Sequence, residues 1–249
     1  MTELNYKIVV PARYNSTRFP GKPLALIHGV PMVVRVYERA IATSASEVVV
    51  ATDDERIAQA CRQAGAEVCM TRSEHPTGTD RIAEVSALRG WHDEEIVVNV
   101  QGDEPLIPLS SIEQVAANLQ RVTEASIATL CTPITSLQEA RDTNNVKVVF
   151  DHRGLALYFS RVLIPHDRDA SDGVQHTYRH LGLYAYRAGF LKRFPMLPPC
   201  TIEELEKLEQ LRALWNGERI HVDIATELPG PGVDTPDQLA EVEAMLTQP

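Results

Sequence analysis

The stretch "KIVVPARYNSTRFPGKPL", residues 7–24, opens as a near-continuous apolar run and then delivers Arg13, Arg18 and Lys22 among small and turn-forming residues. Such a run fits a strand buried on both faces, and the residues after it fit a strand-end loop. Gly21 stands between Pro20 and Pro23, where its freedom of φ lets the chain turn tightly with three cations on it. By residue type and position the loop reads as a clamp for a polyanion. It is not a G-x-x-x-x-G-K-[ST] loop, since a second glycine is missing and Lys22 is followed by Pro23. The alternative is three solvated surface cations.

Farther along the chain, "EVVVAT" (47–52), "AEVCM" (66–70) and "EIVVNV" (95–100) repeat the β-branched pattern. Between them, "PMVVRVYERAIA" (31–42) offers Pro31 as a first helical residue, and "DERIAQACRQAG" (54–65) ends on a stop at Gly65. Alternating units of this kind predict an α/β fold, a mainly parallel sheet flanked by helices, with ligand chemistry at the strand C-terminal ends. The second half changes texture. "NNVKVVFD" (144–151), "GLALYFSR" (154–161) and "RHLGLYAYR" (179–187) predict mixed or antiparallel strands without long helices between them.

A T-x-x-E capping box at Thr201 and Glu204 predicts one helix across "TIEELEKLEQLRALWNG", with Ile202, Leu205, Leu208, Leu211, Leu214 and Trp215 along one side. Strand "IHVDIA" (220–225) and a Thr235-capped helix over 235–247 close the chain. One domain over 1–249, with a β-rich subregion near 130–200, is the simplest division.

The 249 residues are 44% hydrophobic and 23% charged, ample for a packed core. A net charge of −10, from 24 basic and 34 acidic residues, argues against nucleic-acid binding. The N-terminal apolar run is too short for a signal peptide, and no segment approaches the roughly 18 apolar residues of a membrane span. A cytoplasmic protein without membrane insertion is expected. Cys61, Cys69, Cys131 and Cys200 are scattered, as for reduced thiols.

At the end of the fourth run, "NVQGDEP" (99–105) places Asp103 and Glu104 after Gly102. A carboxylate there suits Mg²⁺, which is held by one or two carboxylates plus substrate phosphates; the alternative is a plain turn. "GPGVDTPDQL" (230–239) puts Asp234 before a helix, although D-T-P is also an ordinary helix start. "HPTGTDRIAEV" (75–85) offers backbone donors and Arg81 for phosphate or ribose. His176 and His180 have helical spacing, but the strand-like sequence after them and the lack of a third ligand argue against zinc.

Taken together, "VVPARYNSTRFPGKPL", "VVVATDDERI", "EVCMTRSEHPTGTDR", "VVNVQGDEP", "ALYFSR" with "IPHDRD", "RHLGLYAYRAGF", "LEQLRALW" and "PGVDTPDQL" resemble the 3-deoxy-manno-octulosonate cytidylyltransferases, in order and over nearly the whole chain. The resemblance implies a nucleotide-diphospho-sugar transferase fold and a homodimer formed through the β-rich region. It implies transfer of CMP from CTP to 3-deoxy-D-manno-octulosonate (Kdo) for lipopolysaccharide synthesis. Arg13, Arg18 and Lys22 would then meet the triphosphate, and Arg18, Lys22, Asp103 and Asp234 would be catalytic. The segment "ATD" (51–53, with Thr52 and Asp53), Arg72, Gly78, Thr79, Asp80 and Arg81 would hold cytosine and ribose. Asp103 and Asp234 would ligate Mg²⁺. Gln101, Arg161, His180, Tyr184, Glu209 and Gln210 would hold the sugar acid, with Arg161 as carboxylate partner. Two readings stay open: a cytidylyltransferase for another acidic sugar, such as 8-amino-Kdo or a sialic acid, and a CTP-binding module without catalysis.

Overall fold

The computed structural model describes residues 3–15, 19–169 and 174–246. The first half comprises β1 (Tyr6–Ala12), β2 (Leu26–Ile27), β3 (Val30–Pro31), α1 (Met32–Ile41), β4 (Glu47–Thr52), α2 (Glu55–Gln63), β5 (Glu67–Met70), α3 (Gly78–Leu88) and β6 (Ile96–Asn99). Next come α4 (Leu109–Arg121), β7 (Ile127–Pro133), α5 (Leu137–Arg141), β8 (Lys147–Phe150), β9 (Ala156–Ser160) and β10 (Tyr178–Arg187). The chain continues through α6 (Ala188–Arg193), α7 (Thr201–Glu206), α8 (Gln210–Trp215), β11 (Ile220–Ile224) and α9 (Pro236–Leu246).

Apart from β2 and β3, which pair with each other, the strands form one mixed sheet whose main path is β11-β7-β10-β6-β1-β4-β5. β1 pairs in parallel with β4 and β6, and β4 with β5. Alternate residues of β1 enter different cores. Ile8 and Val10 pack with Val33, Val36 and Ile112, whereas Val9 packs with Ile82, Val97 and Phe190. Burial on both faces accounts for the unbroken apolar runs. After β5 the chain crosses back to add β6 on the other side of β1, so the switch point lies between β1 and β6 and opens a crevice at their C-terminal ends.

The expected antiparallel additions are present. β10 lies between β6 and β7, antiparallel to both, with a register shift between Leu181 and Tyr184. β8 and β9 form an arm beside it. Lys147 on β8 is fully buried and donates to the carbonyls of Asp142 (2.9 Å), Asn145 (2.5 Å) and Arg161 (2.5 Å). Cys61, Cys131 and Cys200 are buried and unpaired, and burial pushes the Cys61 and Cys131 thiols up to about 11 and about 12.

Three local expectations need correction. Pro31 precedes α1 as its N-cap instead of starting it, because it also pairs with Leu26 in the β2–β3 hairpin. Cys200, not Thr201, is the N-cap of α7, and no side-chain cap bond forms there. The single helix over 201–217 is two, broken at Lys207 with left-handed φ of 54°. The break separates Leu205, 77% exposed, from buried Leu208 and Leu211. It is fixed by Arg161, whose Nε donates at 2.7 Å to the carbonyl of Glu206, the last residue of α7. Thr235 does cap α9: its Oγ accepts from Gln238 N, while Gln238 Oε1 accepts from the N–H of Asp234 and Thr235.

Lys147→Met leaves three carbonyls without their donor, and a loss of roughly 2–4 kcal/mol is expected in urea unfolding at unchanged m-value. A loss within about 0.5 kcal/mol would show that water replaces the ammonium there.

Candidate active site

The loop after β1 closes through hydrogen bonds from Gly21 N to Tyr14 O and from Lys22 N to Phe19 O, both 3.1 Å. Gly21 has φ of 73°, a conformation that favours glycine, and a Cβ on it would press on the Tyr14 ring at 3.2 Å. The Arg56 guanidinium covers the other side of this support, 3.4 Å from the Tyr14 ring centroid. Arg13 is exposed and borders the crevice. Arg18 lies outside the described residues.

Lys22 follows a different course from a free phosphate ligand. Its ammonium lies 2.5 Å from Asp103 Oδ2 and 3.1 Å from Asp234 Oδ1. The two acidic turns are themselves joined by Val233 N donating to Asp103 O at 2.9 Å. Glu104 is half-buried beside them, and loss of solvent around its carboxyl, then the Asp103 and Asp234 charges, push it up to about 7. Among the described residues no three histidine, cysteine or carboxylate groups converge as a complete metal cage. The carboxylates that converge on Lys22 are those of Asp103 and Asp234. Gly102 fits its role of close approach, since a Cβ on it would stand 2.9 Å from Pro11 O on β1.

A crevice of about 380 Å³ runs along the ends of β1 and β6 and is bordered by Arg13, Gly78, Thr79, Arg81, Gln101, Tyr184, Glu209 and Gln210. Thr77 caps α3 by accepting from Asp80 N, while its own hydroxyl donates to the Asp80 carboxylate at 2.6 Å. Asp80 is thereby a capping residue. Thr79 Oγ donates to Glu209 Oε2 at 2.9 Å, joining α3 to α8 across the crevice. Burial raises the Glu209 carboxyl above its ordinary value, more than the Thr79 and Thr77 hydroxyls lower it. Buried Arg81 lies 3.1 Å from Asp53 and also donates to Thr71.

Thr52 and Arg72 are not on the crevice lining. Thr52 is buried and accepts from Asp54 N in the turn before α2. The Arg72 side chain is 73% exposed and reaches Glu84 at 3.4 Å.

Gln101 borders a second cavity, also about 380 Å³, with His180, Arg179, Asn145 and Gly182. Its amide donates to Gly182 O at 2.8 Å. His180 contacts Thr129 Oγ at 3.0 Å, and burial pushes its imidazole down to about 3, so it is neutral at physiological pH. Arg161 borders neither cavity; its guanidinium donates to the carbonyls of Glu206 and Thr143. Tyr186, Phe190 and Lys207 border the crevice and were not foreseen. Tyr186 was legible, two residues beyond Tyr184 on one strand face and stacked on it at 5.7 Å. Lys207 was not, because its place depends on the helix break.

The switch-point crevice with paired carboxylates belongs to a nucleotide-handling transferase, and a family model described as cytidylyltransferase matches residues 7–220. The 3-deoxy-manno-octulosonate cytidylyltransferase of Alkalilimnicola ehrlichii is 54% identical, covering 98% of this chain and 96% of its own length. That of Pseudoalteromonas atlantica is 51% identical, covering 97% and 98%. Among solved structures, a CMP:2-keto-3-deoxy-manno-octonic acid synthetase complexed with CTP superposes with a TM-score of 0.90 at 40% identity, over 99% of each chain. A 4-diphosphocytidyl-2C-methyl-D-erythritol synthase, 12% identical with a TM-score of 0.64, shares the fold. The chain belongs to the 3-deoxy-manno-octulosonate cytidylyltransferase family.

The raised Glu209 carboxyl carries a stability prediction. A folded pKa above the unfolded one favours the protonated fold, so that contribution is present below the unfolded value near 4.5 and is lost as pH rises through the folded value. Glu209→Gln keeps an acceptor for Thr79 and cannot ionise. Its melting temperature should exceed that of the unmodified chain at pH 8, with the gap closing toward pH 4. A gap that widens toward acid would reverse the sign of the shift.

Proposed function

We propose that this chain transfers CMP from CTP to the anomeric hydroxyl of Kdo, releasing pyrophosphate. The observation that carries the reading is one crevice bringing Arg13, Gly78 and Thr79 opposite Gln101, Tyr184, Glu209 and Gln210, so that a nucleotide and a hydroxyl-rich acid can meet. The full-length likeness to relatives bearing this name supports it.

The hydroxyl oxygen attacks the α-phosphorus and pyrophosphate leaves, chemistry that is mostly positioning and charge stabilisation. Arg13, with Arg18 from the same loop, meets the triphosphate charge. The backbone N–H groups at the start of α3 suit ribose or phosphate oxygens. Glu209 and Gln210 accept from and orient the acceptor's hydroxyls, and Thr79 holds Glu209 in place. Arg161 serves by ending α7 and so setting the turn that carries Glu209.

Asp103 and Asp234 fit a hard divalent cation, since both already converge on one ammonium and the Glu104 carboxyl beside them is raised by burial first and by their negative charge second. Bound there, Mg²⁺ would supply charge neutralisation and lower the pKa of an attacking hydroxyl. Among the described residues no helix is long and apolar enough to cross a membrane, and we assign the reaction to the cytoplasm, where CTP is found.

Pyrophosphate release should be at least about 10-fold more efficient with Kdo than with 8-amino-Kdo or a sialic acid. Preference for either alternative reassigns the acceptor, and CTP binding without pyrophosphate release removes catalysis. Asp103→Asn combined with Asp234→Asn should cut turnover by at least about 100-fold at ordinary Mg²⁺. Near-normal turnover would sink the metal assignment.

For the homodimer, edge strand β9 supports a second copy docking on the β8–β9 arm, since Leu157 is 64% exposed and Val162, just past the strand, is equally open. Leu157→Asp should shift the sedimenting species from two chains to one; an undisturbed dimer would exclude this face.

A further inference from the structure

His75 opens the "HPTGTDR" segment, and none of the roles above uses it. Its side chain is 8% exposed and borders the crevice beside Thr77, Gly78 and Thr79. Nε2 of the ring lies 2.5 Å from Glu84 Oε2, and Glu84 also accepts from Arg72 N at 2.9 Å. Burial works to raise the Glu84 carboxyl, but the hydrogen bonds from His75 and Arg72 outweigh it and hold the group below its ordinary value. An ionised carboxylate can only accept, so the proton of the pair is on Nε2. In that tautomer Nδ1 carries the lone pair. Among the described residues that atom has no hydrogen-bond partner, yet it is not among the buried atoms left without one. The ring lines the crevice, which is where a bound molecule could meet Nδ1.

We propose that His75 Nδ1 accepts a hydrogen bond from the bound nucleotide, with Glu84 as the positioning residue that fixes the tautomer. The proposal rests on the CTP reading above. CTP carries two kinds of donor that could serve: the exocyclic amine of cytosine and the ribose hydroxyls. UTP has a carbonyl in place of the amine, and 2′-deoxyCTP and 3′-deoxyCTP each lack one hydroxyl, so these analogues separate the sources.

The test is calorimetric titration of the four nucleotides into the unmodified chain, His75→Phe and Glu84→Gln, with thermal unfolding to establish that each variant is folded. His75→Asn stands in if the larger ring is not accommodated. The unmodified chain should bind CTP about 10-fold more tightly than the analogue lacking the relevant donor. In His75→Phe, CTP should fall to that analogue's affinity, bringing the ratio to about one. Glu84→Gln keeps the shape but frees the tautomer, and should narrow the same ratio less. If His75 only tethers its loop to α3, all four nucleotides weaken together and the ratios persist. That outcome, or unchanged CTP binding, overturns the proposal. Failure of the unmodified chain to bind CTP would remove the underlying reading as well, whereas normal binding with persistent ratios removes His75 alone.

Discussion

The Lys22 ammonium joins three stretches of chain that share no local sequence. Asp103 is 81 residues away and Asp234 is 212, yet both carboxylates reach the same nitrogen. The contact ties the loop after β1 to the turn after β6 and to the start of α9, and the turn after β6 reaches the crevice through Gly102. The Lys22 side chain is largely withdrawn from water, so screening is reduced and the charges act on one another at close range. Asp103, Asp234 and Glu104 together outweigh one ammonium. The Glu104 carboxyl is raised chiefly by burial, with the Asp103 and Asp234 charges adding to it.

β10 supplies the second constraint. An antiparallel strand inserted between two strands of a parallel core must satisfy neighbours on both sides, and the irregularity between Leu181 and Tyr184 changes which residues face which layer. Leu181 and Leu183 join one core, while Tyr184 and Tyr186 border the crevice. Gly182 lies at the irregularity, where a Cβ would stand 2.8 Å from Gln101 Nε2. Gln101 can donate to the Gly182 carbonyl only because no side chain is there, and the orientation of the residue shared by both cavities follows from that.

Legibility in the sequence tracked the range of the interaction. The strands of the first half were readable because burial on both faces leaves an unbroken apolar run, and α9 because its capping pair lies within four residues. The antiparallel character of the second half was readable from missing helices, whereas the position of β10 within the sheet was not. Arg161 was recognised as a residue with work to do, but its partners are carbonyls 45 and 18 residues away, and no local pattern points to them. The break at Lys207 was hidden for the same reason, since the apolar spacing of 202–215 is compatible with one helix until Arg161 captures its end. Thr52 and Asp80, ligand contacts by resemblance, also serve a turn and a helix cap: Thr52 accepts from Asp54 N, and Asp80 accepts from the Thr77 hydroxyl.

The concentration of cations in an acidic chain follows from this arrangement. Arg81 is enclosed with Asp53 and Thr71, so it stiffens the wall; Arg13 and Lys207, both exposed on the lining, are placed to face a polyanion. The acid cluster at the other end repels that same polyanion. A nucleotide triphosphate and the Asp103–Asp234 pair can share the site only with positive charge between them. Lys22 already holds that position toward the carboxylates, which is why a basic loop and two acidic turns meet at one point: two acidic turns are unfavourable near each other until the ammonium between them completes the balance.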